Sequence, residues 1–326
     1  MAKISILGAG GWGMALAIVA DMNGHSVTIW TPFFDECEGL LKERGNEKLL
    51  KGIKLPESIH ITTNLSLVEG SDITVIATPS FAVRETAKRL KSIKDRGIIV
   101  SVAKGFESST MLRLSEVIGE EINNSPIVAL SGPSHAEEVA RHIPTMLTSA
   151  GKNNEANEIV QKAFSNSFMR VYTNDDIIGV ELGGALKNVM AVAAGICDGM
   201  GLGDNSKAAL ITRGLVEMSR LGVKMGAKEA TFIGLTGLGD LIVTCTSAHS
   251  RNNRFGNLIG KGVSVEEALK TVGTVEGYYA TDITIKIAQK YGVYMPITEL
   301  CYGVLYENKS VNDSVNLLMS RPFKSE

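Results

Sequence analysis

The chain has 326 residues, 44% of them hydrophobic and 21% charged, with 33 Lys and Arg against 35 Asp and Glu for a formal net charge of -2. That length exceeds what one hydrophobic core usually fills, and the composition is that of a globular enzyme rather than a disordered or fibrous chain. The near-balanced charge excludes an overall field that would draw the chain to nucleic acid or anionic lipid.

In chain order, short β-rich runs at 4–7, 27–30, 73–77, 98–102 and 127–130 read as buried parallel strands, with two further candidates at 146–149 and 170–172. Helical periodicity over 12–22, 82–90 and 111–122 falls between them, which is the alternation of a doubly wound α/β sheet. After about residue 174 strand-like runs nearly vanish and long helix-compatible segments begin with 175–197. Glycine-rich breaks at 199–203 and 234–239 read as sharp connections between helices. Lys3 and the uncharged run 4–20 superficially resemble a secretory signal, but Gly8, Gly10, Gly11 and Gly13 interrupt it where a signal wants helix-forming aliphatics. No other stretch offers the roughly 18 apolar residues of a membrane span, so a cytoplasmic chain without membrane insertion is expected. Cys37, Cys197, Cys245 and Cys301 lie far apart, without metal-ligand or disulfide spacing, and are expected to be buried, inert thiols.

The first strand runs straight into Gly8-Ala9-Gly10-Gly11-Trp12-Gly13 and then an apolar helix. A GxGxxG in strand-turn-helix context is specific: Gly8 permits the tight turn, Gly10 lets the backbone approach a pyrophosphate, and Gly13 allows close helix–strand packing. The helix N-terminus adds amides and a positive dipole for the phosphates. The expected fold is therefore α/β, with an N-terminal Rossmann-like doubly wound sheet over 1–174 that binds a dinucleotide, followed by an all-helical substrate-binding domain over 175–326. An acidic residue ending the second strand would contact a ribose 2′-hydroxyl, and an arginine there would accept a 2′-phosphate. The chain shows neither: Thr31, Pro32, Phe33 and Phe34 follow Trp30, and Asp35 comes late, inside the next helix. NAD and NADP both stay open, the lack of a basic residue tilting the choice toward NAD.

Several further residues are placed for chemistry. Lys104 follows the strand 98–102 and so sits at its carboxyl end, where open α/β sheets bind ligands, although a lysine after a strand is ordinarily a solvated loop charge. Gly132 and Ser134 follow the strand 127–130; Ser134 is expected to cap a helix beginning near Ala136 and leave amides for a ligand. On the helix 175–197, Glu181, Gly184, Lys187, Asn188 and Ala191 share a face through three- and four-residue spacing. Lys187 can deliver a proton to a carbonyl oxygen as hydride reaches its carbon, provided burial or a nearby cation tunes it; otherwise it snorkels from a core helix. Asp240 by itself reads as a helix cap after its glycine turn. Ser250, Arg251 and Asn252 offer a hydroxyl, a guanidinium and an amide in sequence, the donors a phosphate dianion needs. Arg254 nearby reads first as a surface charge. His135 suits general acid chemistry by its ordinary pKa alone.

The stretches 101–107, 131–139, 181–189, 237–241 and 250–252, together with the glycine motif, resemble the NAD(P)-dependent glycerol-3-phosphate dehydrogenases of bacterial type, in order and over essentially the whole chain. The resemblance implies interconversion of dihydroxyacetone phosphate and sn-glycerol 3-phosphate, a small phosphorylated substrate, for glycerophospholipid synthesis. It implies Lys187 as the catalytic residue and substrate contacts from Lys104, Gly132, Ser134, Asp240, Ser250, Arg251 and Asn252. It implies cofactor contacts from Gly8, Gly10, Gly11, Trp12, Gly13, Lys104, Ala136, Arg251 and Glu276, and it gives His135 no role. The chain departs from the family at Thr31 and Pro32, where a basic residue is common, and around Gly11 and Met14. A dehydrogenase of hydroxy or sugar acids, or a non-catalytic dinucleotide sensor, remain alternatives, and the oligomeric state, a homodimer included, is open.

Overall fold

The computed structural model describes residues 1–322, and these divide into two compact units, 1–181 and 182–322. In the first, strands β1 (Lys3–Leu7), β2 (Ser26–Trp30), β3 (His60–Thr62), β4 (Ile73–Ile76), β5 (Ile98–Ser101), β6 (Ile127–Ser131), β7 (Thr145–Gly151) and β8 (Met169–Asn174) form one sheet. Its order is β3-β2-β1-β4-β5-β6-β7-β8. All pairings are parallel except β6 with β7. This is the expected Rossmann-type sheet, with one strand that the pattern does not announce: β3 has three residues, of which only Ile61 is buried, too short to show a hydrophobic run.

Helices α1 (Gly11–Met22), α2 (Phe34–Glu43), α3 (Val83–Leu90), α4 (Leu114–Glu121), α5 (Ala136–Val139) and α6 (Asn154–Phe164) connect the strands. Alternate strand residues feed two core layers. Ile4, Ile6, Val27, Ile29, Ile73 and Val75 pack with α1 and α6, while Leu7, Trp30, Ile76 and Ile99 pack with α3 and α4. In α1 every residue from Gly13 to Ala20 is buried, which is why its sequence is apolar all round rather than amphipathic. The strand order turns back between β1 and β4, so the carboxyl end of β1, where the glycine motif lies, is the switch point at which such sheets bind ligands.

Helix α7 (Ile177–Met200) contains the division between the units. The second unit continues with α8 (Gly203–Lys224), α9 (Glu229–Phe232), a π-type turn (Leu235–Gly239), α10 (Asp240–Thr246), α11 (Arg251–Gly260), α12 (Val265–Val272), α13 (Glu276–Tyr291), α14 (Pro296–Tyr306) and α15 (Val311–Met319). Ser250, Ser264 and Ser310 cap α11, α12 and α15 by accepting from the amide three residues on. Glycines let α7 and α11 touch backbone to backbone: a Cβ on Gly195 or Gly199 would strike the carbonyl of Asn253 or Asn257, and one on Gly256 or Gly260 that of Val192 or Ile196. The first glycine break is sharp, as expected, with Gly201 at φ +69° and Gly203, the first residue of α8, at +81°, whereas the second, 234–239, is a π-type turn that runs straight into α10.

Contrary to the sequence-based expectation, one further stretch does have the length and composition of a membrane span, α7 itself, with mean hydropathy 1.5 over its most apolar window; 89% of that window is buried inside the protein. It is a core helix: Ile177 and Val180 pack with Ala129 and Ala150 of the sheet, and Val192 and Ile196 with Phe255 and Ile259 of α11. All four cysteines are buried, and burial pushes the thiols of Cys245 and Cys301 up to about 12, so they stay protonated and unreactive near neutral pH.

Candidate active site

The glycine motif builds a cradle from backbone. Gly8 sits at φ +117°, and a Cβ there would lie 2.8 Å from the carbonyl oxygen of Ala77, just past β4. Gly13 carries α1 so close to the turn that a Cβ would collide with the Gly8 carbonyl. Gly10 differs from both: its φ of -66° and ψ of 169° suit any residue, and a Cβ there would meet nothing within 4 Å. Glycine at position 10 is thus needed for neither fold nor backbone conformation, and the open space above it is what a pyrophosphate would fill. No side chain caps α1 and no acid occupies its first turn, so the amides of Gly11, Trp12 and Gly13 point at that space. These residues fit a dinucleotide. Ala136, at the start of α5, borders the cradle: a Cβ on Gly11 would lie 3.7 Å from that of Ala136.

At the carboxyl ends of β5 and β6, Lys104 donates to the carbonyl of Gly132 at 3.0 Å and to the hydroxyl of Ser134 at 3.4 Å, while Ser134 donates to the same carbonyl at 2.9 Å. Ser134 does not cap α5; His135 occupies the N-cap position, and the serine hydroxyl is drawn instead into the Lys104 cluster. Gly132, at φ +134°, makes the turn that exposes its carbonyl to Lys104. Glu181 belongs to the first unit, where it accepts from Arg113 at 2.5 Å and from the Ser115 amide at 2.7 Å. Burial pushes its carboxyl above the usual range, with Arg113 and Ser115 opposing. These bonds tie the start of α7 to the start of α4.

In the second unit Lys187 is 5% exposed and Asp240 1%. Lys187 Nζ donates to Asp240 Oδ1 and, at 2.7 Å, to Thr244 Oγ1, whose own hydroxyl reaches the Asp240 carbonyl at 2.6 Å. A buried ammonium is costly unless paired and hydrogen-bonded, and here both conditions are met. The Lys187 ammonium is paired with the Asp240 carboxylate. The pairing has a local cause. Gly183 lies one turn before Lys187 and Thr236 lies four residues before Asp240; a Cβ on Gly183 would sit 2.5 Å from the Thr236 carbonyl, so the missing side chain sets how closely the π-type turn approaches α7.

Beside this pair, Asn252 donates to Asn188 Oδ1 at 2.9 Å and accepts from the Gly277 amide at 2.9 Å, which ties α11, α7 and the start of α13 together. Glu276 is the first residue of α13. Ser250 spends its oxygen as cap acceptor for Asn253 at 3.2 Å but keeps its proton for donation, and Asn252 keeps a second N–H. Arg251 opens α11 and is exposed, as is Arg254. Thr244 was not singled out by sequence reasoning, although its spacing of four from Asp240 on a helix is a signal; Arg113, the partner of Glu181, carries no local signal at all.

Comparison with known proteins agrees with this geometry. Residues 3–157 match the family profile described as the NAD-dependent glycerol-3-phosphate dehydrogenase N-terminus, and residues 176–316 match that of the C-terminus. A glycerol-3-phosphate dehydrogenase [NAD(P)+] of Fusobacterium nucleatum is 52% identical, over 100% of this chain and 99% of that protein. One from a Thermoanaerobacter species is 51% identical over 99% and 98%. The crystal structure of glycerol-3-phosphate dehydrogenase from Coxiella burnetii superposes with a TM-score of 0.94 at 40% identity, covering 98% of this chain and 99% of that one. With the glycine cradle, the buried lysine–aspartate pair and full-length similarity in hand, the chain belongs to the NAD(P)-dependent glycerol-3-phosphate dehydrogenase family.

Proposed function

We propose that the chain interconverts sn-glycerol 3-phosphate and dihydroxyacetone phosphate, with residues 1–174 holding NAD(P) and residues 175–326 holding the substrate. The observation that carries this reading is the Lys187 ammonium, buried and fixed by Asp240 and Thr244. When bound, the dinucleotide supplies the hydride for reduction or accepts it for oxidation. Lys187 gives its proton to the carbonyl oxygen in reduction and takes the hydroxyl proton in the reverse direction, and Asp240 and Thr244 hold Nζ to one position. Arg251, with the spare Ser250 and Asn252 donors at the start of α11, grips the phosphate. Lys104, Gly132 and Ser134 orient the substrate's polar groups. Cofactor contacts come from Gly8, Gly10, Gly11, Trp12, Gly13, Lys104, Ala136, Arg251 and Glu276. The product serves glycerophospholipid synthesis in the cytoplasm.

The test is the rate of NADH and NADPH oxidation, followed by absorbance, with dihydroxyacetone phosphate set against unphosphorylated dihydroxyacetone. Rapid oxidation with the phosphorylated ketone alone is expected. No oxidation with either ketone would leave a dinucleotide-binding fold with a different substrate.

A further inference from the structure

We infer that Glu36 reads the adenosine ribose of the cofactor and makes this chain prefer NADH to NADPH. The inference rests on the dinucleotide reading above and adds to it the residue that discriminates the 2′ position. In such folds an acid at the carboxyl end of the second strand accepts a hydrogen bond from the ribose 2′-hydroxyl, whereas a cation there accepts a 2′-phosphate. In this chain the position directly after β2 is occupied by Thr31, which has no charge.

The fold supplies the acid from elsewhere. Thr31 is fully buried, and its hydroxyl donates to Glu36 Oε2 in the first turn of α2 while accepting from the Phe33 amide at 3.3 Å. The turn over 31–33 thereby folds the carboxylate of residue 36 back against the end of β2. That strand end adjoins the glycine cradle directly, since the amide of Gly8 donates to the carbonyl of Trp30 at 2.8 Å. A second oxygen of Glu36 is left to accept from a ligand hydroxyl.

The local sequence carries charge of one sign. From Ser26 to Leu41 there is no lysine, arginine or histidine, while Asp35, Glu36 and Glu38 all fall on α2. The nearest cations on that helix and its exit are turned to other work: Lys42 lies beside Glu43, and Arg44 donates to the carbonyls of Pro56 and Ile59 and faces Glu57. The β3 end contributes neutral Thr62, whose carbonyl receives the Thr31 amide, and Thr63, whose carbonyl receives Trp30 Nε1. Cys37 feels the same field: after burial itself, Glu38 and Glu36 push its thiol up. A 2′-phosphate would bring about two further negative charges to a strand end that already carries the Glu36 carboxylate. A 2′-hydroxyl would find an acceptor already fixed.

Glu36 also sits where an acid favours its own helix N-terminus, so loss of fold must be separated from loss of recognition. The experiment is direct titration of the full chain with NADH and with NADPH, by calorimetry or fluorescence, at low and high salt. It is applied to the wild type, to Glu36→Gln, which keeps an acceptor and loses the charge, and to Thr31→Val, which releases the carboxylate; melting temperatures report folding. The wild type is expected to bind NADH at least about tenfold more tightly than NADPH, a preference that shrinks as salt rises. Glu36→Gln should cut the ratio several-fold, to within about threefold of unity, mainly by tightening NADPH, and Thr31→Val should cut it mainly by weakening NADH. Equal affinities in the wild type, or a ratio that both folded variants leave unchanged, overturns the assignment of Glu36 alone. Binding of neither nucleotide overturns the dinucleotide reading and this inference with it.

Discussion

The two units carry their chemistry in different material. The first offers a cradle of backbone: three glycines, the uncapped amides of α1 and a carbonyl at Gly132. The second offers side chains, Lys187, Asp240, Thr244, Asn188 and Asn252, all of them buried. A backbone site tolerates few changes because the positions themselves are steric, whereas a side-chain site can lose one group and keep its fold. Substitutions should therefore separate binding from chemistry cleanly, and the experiments below are ordered by how hard they press on that separation.

Lys187→Ala presses hardest. Loss of a positioned proton donor is expected to lower kcat by about 10²- to 10⁴-fold, while NADH affinity in the same variant stays within about twofold of wild type. Steady-state kinetics alongside a binding titration read both quantities, and turnover close to wild type would remove Lys187 from the reaction. Arg251→Ala should act on substrate rather than on chemistry, raising the KM for dihydroxyacetone phosphate about 10- to 100-fold with little change in kcat. An unmoved KM would place the phosphate elsewhere.

The smallest effect concerns stability in the second unit alone. Glu217 on α8 accepts from the Ile297 amide at 2.8 Å and the Thr298 amide at 3.3 Å, yet burial outweighs these bonds and raises its carboxyl from 4.5 to about 7. A folded-state pKa above the unfolded one means that the folded protein binds the extra proton, so the stability from this group is complete below about 4.5 and is lost as pH rises through about 7. Glu217→Gln, neutral throughout, should flatten the fall in melting temperature across that window. Melting curves whose pH dependence is the same in variant and wild type would show that this carboxyl does not titrate there.

The same contrast governs what the sequence discloses. The cradle is legible because glycine pattern, strand and helix are contiguous, and the strands of the first unit follow from short β-branched runs except β3, which is too brief to leave one. Lys187 and Asp240 are legible as candidates, but their pairing is not: they are 53 residues apart and meet through a glycine, Gly183, whose meaning depends on the π-type turn it touches. Ser134 was misread as a helix cap because sequence spacing cannot show that Lys104, thirty residues earlier, competes for its hydroxyl. Glu36 was passed over for a similar reason, since the rule for the second strand looks at its last residue and not at a carboxylate that a buried threonine folds back.

The most direct test of the division between backbone binding and side-chain chemistry is the dinucleotide affinity of Gly10→Val, measured by calorimetry next to its melting temperature. A side chain at position 10 meets no protein atom within 4 Å at its Cβ, so melting should match wild type while affinity falls about 100-fold or more, because the branch occupies the space reserved for the pyrophosphate. An undiminished affinity in a normally folded variant would mean that the cradle is not where the cofactor lies.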